Sequence, residues 1–245
     1  MRTEFKEKQN ELAYPTGVEK HWWTLARNKY LIKKIQSSTN FSDKYFLDIG
    51  CGRGFFVDIL NRIGIECEGV ELSEIEFVKG DFSSKMRNCN VFDLPLSVRK
   101  KINCILLLDV LEHIEKPHLF LEQINEAFMN LTDVFITLPA RNDVWSRYDE
   151  FYGHFTRYDF KLLKNLNSNI PYDVARKSYF FHSIYLIAKI MKFFGIKRSI
   201  KWASPRNRRE YFWHRIVSHL IDGENTIVPF FIPGLSLFCH LTKKS

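Results

Sequence analysis

Residues 45–57 read YFLDIGCGRGFFV, and the rest of the chain is arranged around them. An apolar run, Tyr45-Phe46-Leu47, leads into an acid at Asp48. Glycines follow at Gly50, Gly52 and Gly54, after which Val57, Leu60 and Ile63 recur every third residue. A short apolar run bounded by glycine predicts a buried strand, and the switch to a spacing of three and four predicts a helix. A tight glycine turn between them lets a ligand touch bare backbone, with the helix N-terminus aimed at it. Two residues discriminate between ligands. A dinucleotide turn wants a third glycine, for close helix–strand packing, where this chain has Phe55. The carboxylate of Asp48 would repel a pyrophosphate and attract a cation, so the pattern predicts a positively charged ligand.

Downstream, residues 65–72 (IECEGVEL) form a second apolar-biased run that ends in acid. Glu71 stands about twenty residues beyond the turn, where an adenosine ribose finds its partner, and its two oxygens can accept from both hydroxyls. Ser73 can cap a following helix that runs to about Met86. Residues 101–108 (KINCILLL) read as a fourth, buried strand leading into Asp109-Val110-Leu111-Glu112-His113-Ile114. Pro117 helps to open a helix over 119–128. Residues 133–138 (DVFITL) make a fifth strand. Alternating strands and helices predict a parallel, doubly wound α/β sheet. Ligands of such sheets sit at the carboxyl ends of strands, so Leu108 to His113 should line the pocket.

The flanks are less regular. Residues up to about 10 read as a solvated, frayed tail, and 18–35 as a helix carrying Trp22, Leu25, Ala26, Tyr30 and Ile32. Residues 139–158 (PARNDVWSRYDEFYGHFTRY) have no clean period. Trp145, Tyr148, Tyr152, His154, Arg157 and Tyr158 crowd this segment at the end of a strand, which predicts a substrate-facing loop. Thr156 would cap a helix to about Leu166, and a sixth strand spans 172–179. Over 180–195, FFHSIYLIAKIMKFFG is too short, and too interrupted by His182, Lys189 and Lys192, to cross a bilayer. Ile184, Ile187, Met191 and Phe194 share one helical face, yet Leu186, Ile190 and Phe193 make a second apolar surface. A helix covering a sheet needs only one. A basic connector then precedes a helix over 215–221.

Composition bounds the function class. With 245 residues, 45% hydrophobic and 26% charged, the chain is sized for one globular domain with a full core. The opening MRTEFKEKQNE has no apolar centre, so no secretory signal is expected. Five scattered cysteines form no C-x-x-C pair, which argues against a zinc knuckle or disulfide framework and for a reducing cytosol. The net charge of +8 is regional: residues 176–215 hold eleven Lys or Arg against one acid, Glu210. The remainder carries 25 basic and 27 acidic residues.

The D-x-G-x-G-x-G of residues 48–54 and the D-V-L-E-H-I of 109–114 resemble the first and fourth motifs of class I methyltransferases dependent on S-adenosylmethionine (SAM). The resemblance is closest to the branch with small-molecule and lipid-intermediate substrates. It covers residues 22–244, strongest over 45–71 and 106–113 and weakest in the C-terminal third. It implies a Rossmann-like, seven-stranded, mostly parallel sheet with an N-terminal helix, a C-terminal helical lid and a last, antiparallel strand over 230–241. The H-W-W-x-x-x-R of His21, Trp22, Trp23 and Arg27 is similar to an N-terminal helix that caps the cofactor pocket. The implied organisation is a tail and capping helix (1–40), a SAM-binding core (41–178), a basic amphipathic insert or lid (179–228) and a final strand (229–245). The implied cofactor contacts are Asp48, Ile49, Gly50, Cys51, Gly52, Gly54, Glu71, Leu72, Asn90, Val91, Leu108 and Asp109. Residues 89–96 (CNVFDLPL) resemble the third-strand segment, with Asn90 in place of the usual Asp that meets the adenine amine. A second alignment places EFVKGDF on that strand and nominates Asp81, at the expense of a whole helix.

Methyl transfer needs a nucleophile aligned with an already activated methyl group, and proximity supplies much of the rate. For a hydroxyl acceptor a base helps, and histidine suits neutral pH. His113 and His154 are the candidates. Asp109, Glu112 and His113 could converge with His154, and similar E-x-x-E-H groups ligate a divalent ion in some ubiquinone-pathway O-methyltransferases. The first acid here is Asp rather than Glu, and D-x-x-E-H also occurs in metal-free relatives, so no metal is expected. An NAD(P)-dependent oxidoreductase is disfavoured by Asp48 and Phe55. Nucleic-acid binding through 176–215 is unlikely without an RNA-binding module or an N/D-P-P-Y/F signature. The expectation is a cytoplasmic enzyme acting on a small-molecule or lipid-linked acceptor, whose basic insert could meet an anionic membrane at its inner face.

Overall fold

The computed structural model describes residues 7–38, 41–166, 170–200 and 203–244. Seven strands, β1 Phe46–Ile49, β2 Cys67–Glu71, β3 Met86–Asn88, β4 Cys104–Leu108, β5 Asp133–Pro139, β6 Tyr172–Phe180 and β7 Ser236–Lys243, form one sheet in the order β3-β2-β1-β4-β5-β7-β6. The first five are parallel, and β7 lies antiparallel between β5 and β6. The helices are α1 Glu7–Ala13, α2 Trp22–Ser38, α3 Phe55–Arg62, α4 Leu96–Arg99, α5 Pro117–Ala127, α6 Arg147–Tyr152, α7 Phe160–Leu166, α8 His182–Phe193 and α9 Arg208–Ile227.

Strand period dictates the layers. Leu47 and Ile49 join Ile105, Leu107, Ile136 and Leu138 in a core on one face, which α5 and α7 cover with Leu121, Ile124, Leu163 and Leu166. Phe46 joins Leu106, Phe135 and Phe238 on the other face, beneath Leu31 of α2, Val57 and Leu60 of α3, Tyr185 of α8 and Ile221 of α9. A parallel strand covered on both faces reads as a continuous apolar run, and every residue of β1 and β4 is buried. Each fully buried Leu or Phe contributes roughly 1.5–3 kcal/mol. The strand order reverses between β1 and β4, so a crevice opens at their carboxyl ends.

Several expectations are corrected. No helix follows Ser73. The chain there is irregular until a 3-10 turn at Ser83–Lys85, and the third strand is Met86–Asn88, ahead of residues 89–96. Non-helical partners explain this: the Ser73 N–H donates to Glu71 (3.1 Å), the Val78 N–H to the Arg53 carbonyl (2.8 Å), and the Asn88 side chain to the Ile75 carbonyl (3.1 Å). EFVKGDF is no strand either, and Asp81 is exposed. The tail already forms α1 from Glu7, residues 1–6 lying outside the described residues. Thr156 caps nothing, because α7 starts at Phe160 and Asp159 accepts from the Lys161 and Leu162 N–H groups (2.9 and 2.8 Å). The last helix is far longer than 215–221. Asn207 caps it by accepting from the Glu210 N–H (2.9 Å), and it packs along α2 through Lys33–Asp222 (2.7 Å). Among the described residues no helix is long and apolar enough to cross a membrane.

Candidate active site

The crevice between β1 and β4 is floored by the glycine turn. Gly52 has φ +55°, and a Cβ there would run into the hydroxyl of Tyr14, which the N-terminal segment lays over the turn. Gly54 has φ +77°, and its missing side chain leaves room for Met86. Glycine is therefore demanded twice, by conformation and by contact. The Gly52 N–H donates to one oxygen of Glu71 (2.9 Å) and the Ser73 N–H to the other (3.1 Å). These bonds hold the carboxylate in place, and each oxygen keeps a further lone pair.

A cavity of about 360 Å³ lies on this side, lined by Ile49, Gly50, Glu71, Leu72, Asn90, Val91 and Asp109, with Phe92, Ile114 and Phe120 as apolar walls. Asn90 caps a 3-10 turn by accepting from the Phe92 N–H (3.0 Å), which uses one lone pair of its amide oxygen. A second cavity, about 260 Å³, shares Tyr14, Gly50, Asp109 and His113 with the first. Asp48, Cys51, Leu108, Glu112, His154, Arg27 and Trp23 line it, so the helix of the H-W-W-x-x-x-R grouping does border the pocket. Gly52 and Gly54 line neither cavity and act through the shape of the turn.

Asp48 is 3% exposed, and its Oδ1 has no hydrogen-bond partner among the described residues. Burial pushes its carboxyl up to about 7, with Arg27 opposing and Glu71 and Asp109 adding to the rise. Asp109, at the end of β4, has φ +61°, a strained setting for a non-glycine residue. It is held there by Arg27 Nη2 (2.6 Å) and the Thr137 hydroxyl (2.9 Å).

The two histidines meet, with ring centres 4.8 Å apart. Burial, and then the neighbouring His154, lowers the His113 pKa to about 4, so His113 is neutral at pH 7. His154 Nδ1 lies 2.9 Å from Asp149 Oδ1, the oxygen that also accepts from Arg157 Nε (2.8 Å). Burial raises the Asp149 carboxyl, but the bonds from His154 and Arg157 outweigh it and hold the pKa at about 2. The ionised carboxylate selects the tautomer in which Nδ1–H donates and Nε2 keeps the lone pair. Sequence reading missed Asp149. Its signal was the S-x-x-D of Ser146 to Asp149, a capping box that starts α6 inside a segment read as loop.

Glu112, His113 and His154 bring ligand atoms within 4.8 Å of one another. Glu112 is 1% exposed and burial pushes its carboxyl well above the usual range; its Oε2 has no partner among the described residues. One carboxylate and two imidazoles can hold a divalent cation. Asp109 is not in the group, since Arg27 and Thr137 occupy its carboxylate.

Residues 23–195 match the methyltransferase-domain family. A ubiquinone biosynthesis O-methyltransferase of Coxiella burnetii is 25% identical over 123 residues, covering 44% of this chain and 53% of the relative. The chain thus spans about half the length of the curated relatives it matches. A SAM-dependent methyltransferase from Archaeoglobus fulgidus superposes with a TM-score of 0.51 at 17% identity, covering 88% of this chain and 94% of that one. A Haemonchus contortus phosphoethanolamine N-methyltransferase 2, solved with phosphomonomethylethanolamine and S-adenosylhomocysteine (SAH), gives 0.55 at 13% identity, covering 89% of this chain and 52% of that one. At such identities the structural likeness establishes the fold, while the family match extends over most of the sequence. The chain belongs to the methyltransferase-domain family.

Proposed function

We propose that this chain transfers a methyl group from SAM to a hydroxyl of a small-molecule or lipid-linked acceptor, with His154 as the general base. The observation that carries the reading is the Asp149–His154 pair, which borders a cavity adjoining the one lined by Glu71 and Asn90. SAM, when bound, supplies a methyl group on an already activated sulfonium. Glu71 accepts from the ribose hydroxyls, and Asn90 and Val91 flank the adenine. Asp48 faces the cationic end. Tyr14, Trp23 and Arg27 exclude water from the junction of the two cavities. Asp149 fixes the His154 tautomer, so that Nε2 takes the acceptor's proton as the methyl group is transferred.

A second reading rests on the Glu112, His113 and His154 group: a divalent cation held there would polarise the acceptor hydroxyl. One assay addresses both. Metabolite and lipid extracts are incubated with enzyme and SAM, and mass spectrometry seeks species that gain one CH₂. His154→Ala should lower turnover on the acceptor so found by about 10²–10⁴ while sparing SAM affinity. Near-normal turnover in that variant sinks the base. Loss of activity with a chelator, restored by a divalent ion, selects the cation instead.

We further propose that the region following β6 meets an anionic membrane surface. Leu186, Ile190 and Phe193 of α8 are exposed, as are Phe194 and Ile196 beyond it. Phe230 and Phe231, whose loop is bonded to the end of β6, are exposed too. Apolar side chains beside the basic 176–215 region suit the headgroup boundary, where each Lys or Arg contributes about 1 kcal/mol.

A further inference from the structure

Three arginines line the second cavity: Arg27, Arg157 and Arg198. Two of them are committed. Arg27 is bonded to Asp109 (2.6 Å), and Arg157 to Asp149 (2.8 Å) and the Ala140 carbonyl (3.0 Å). Arg198 differs. It comes from the connector between α8 and α9, and its guanidinium lies over the Tyr148 ring, 4.0 Å from the centre. Among the described residues no carboxylate lies within 4.0 Å of it, the nearby Asp149 being taken by Arg157. The remaining acids of the cavity are placed elsewhere: Asp48 on β1 beside the glycine turn, and Glu112 with the two histidines.

A guanidinium partly withdrawn from water without an anion is costly, and a planar one is matched by a carboxylate or phosphate in two-point contact. Burial accordingly lowers the pKa of Arg198, while the Tyr148 ring and Asp149 act in the opposite sense to Arg157. The surrounding wall is aromatic, with Trp23, Phe55, Phe56, Tyr148 and Tyr152. Tyr148 also fixes the spacing, because its ring centre is 6.3 Å from that of His154. Arg198 and His154 thus both border Tyr148, no more than about 10 Å apart, within reach of one flat ligand.

We propose that Arg198 is the specificity-determining anchor for an acceptor that carries a carboxylate or phosphate on a flat, apolar body. The inference rests on the methyltransferase reading and names its acceptor class. Arg198 belongs to the connector rather than to the sheet, so acceptor anchoring and cofactor binding rest on separate segments of the chain.

The test is calorimetry on the full chain saturated with SAH, using benzoate, phenyl phosphate and the neutral benzamide as probes. Benzoate and phenyl phosphate should bind at least about tenfold tighter than benzamide, the effect of one charge-assisted contact. Arg198→Gln should abolish that preference and Arg198→Lys retain part of it, both with unchanged SAH affinity. Equal binding of benzoate and benzamide, or equal anion binding by wild type and Arg198→Gln, overturns the proposal. Absence of SAH binding in the wild type would instead overturn the methyltransferase reading. A short-chain phosphatidate below its micelle concentration identifies the source of the anion. Tighter Arg198-dependent binding than phenyl phosphate assigns a lipid-linked acceptor, and equal Arg198-dependent binding a soluble one.

Discussion

Replacement of Asp48 by Asn tests the cofactor end of the site most directly. The side chain is 3% exposed and burial raises its pKa to about 7, so near neutral pH the empty protein is divided between the protonated and ionised forms. A cationic ligand binds the ionised form. About nine-tenths of the carboxyl is ionised at pH 8 and about one-tenth at pH 6, so SAM should bind roughly tenfold more weakly at pH 6, or about 1.4 kcal/mol. His113, at about 4, does not change charge over that interval. Asp48→Asn should flatten the dependence and bind more weakly than wild type at pH 8. Stability moves the other way. The unfolded chain releases this proton near 3.8 and the folded chain near 7. Between these values the folded state holds the extra proton, so this group costs the empty protein stability as pH rises from about 4 to about 7. The full cost, up to about 4 kcal/mol, is reached above 7. Asp48→Asn escapes it and should unfold at higher denaturant at pH 8. Calorimetry and urea melts at pH 6 and 8 decide the matter. A SAM affinity that is flat with pH in the wild type, or a slope that survives in Asp48→Asn, refutes the reasoning.

Other outcomes follow from single contacts. Glu71→Ala removes the acceptor of the Gly52 and Ser73 N–H groups and should weaken SAM binding about ten- to a hundredfold; unchanged affinity by calorimetry would take Glu71 out of the site. Gly52→Ala places a methyl group against Tyr14 at φ +55° and should cost roughly 1–3 kcal/mol with loss of SAM affinity. Wild-type melting and binding in that variant would show that Tyr14 does not close the turn. Co-sedimentation with liposomes should rise with anionic lipid, fall with salt, and drop when Lys197 and Lys201 become Gln, Lys201 lying outside the described residues. A protein that stays in the supernatant at low salt, whatever the lipid, excludes the membrane contact.

The legible parts of this chain were those in which one face or one turn dictates the residues. The buried strands of the sheet show as apolar runs because both faces are covered, and the glycine turn shows because its conformation tolerates little else. The surplus apolar surface of α8 was also legible, but not its division into faces: Ile187 and Phe194 are exposed along with Leu186, Ile190 and Phe193, and Tyr185 is the side chain buried in the core. Residues 73–85 were misread because Ser73 in sequence is a plausible cap, whereas in the fold its N–H belongs to Glu71 and the following chain to Arg53 and Asn88. Periodicity cannot register partners twenty residues away. Residues 139–158 hid α6 for a related reason: the helix is six residues long, and Asp149, the N3 acid of its capping box, also holds His154 and Arg157. The sequence by itself determined the alternating sheet and the acid-and-glycine turn, since these depend on local period and backbone conformation. Only the tertiary structure decided that Asp149 is bonded to His154, that Tyr14 covers the turn, and that Arg198 has no carboxylate within 4.0 Å among the described residues. Each of these depends on side chains that come together from separate segments once the sheet, the N-terminal segment and the α8–α9 connector are packed.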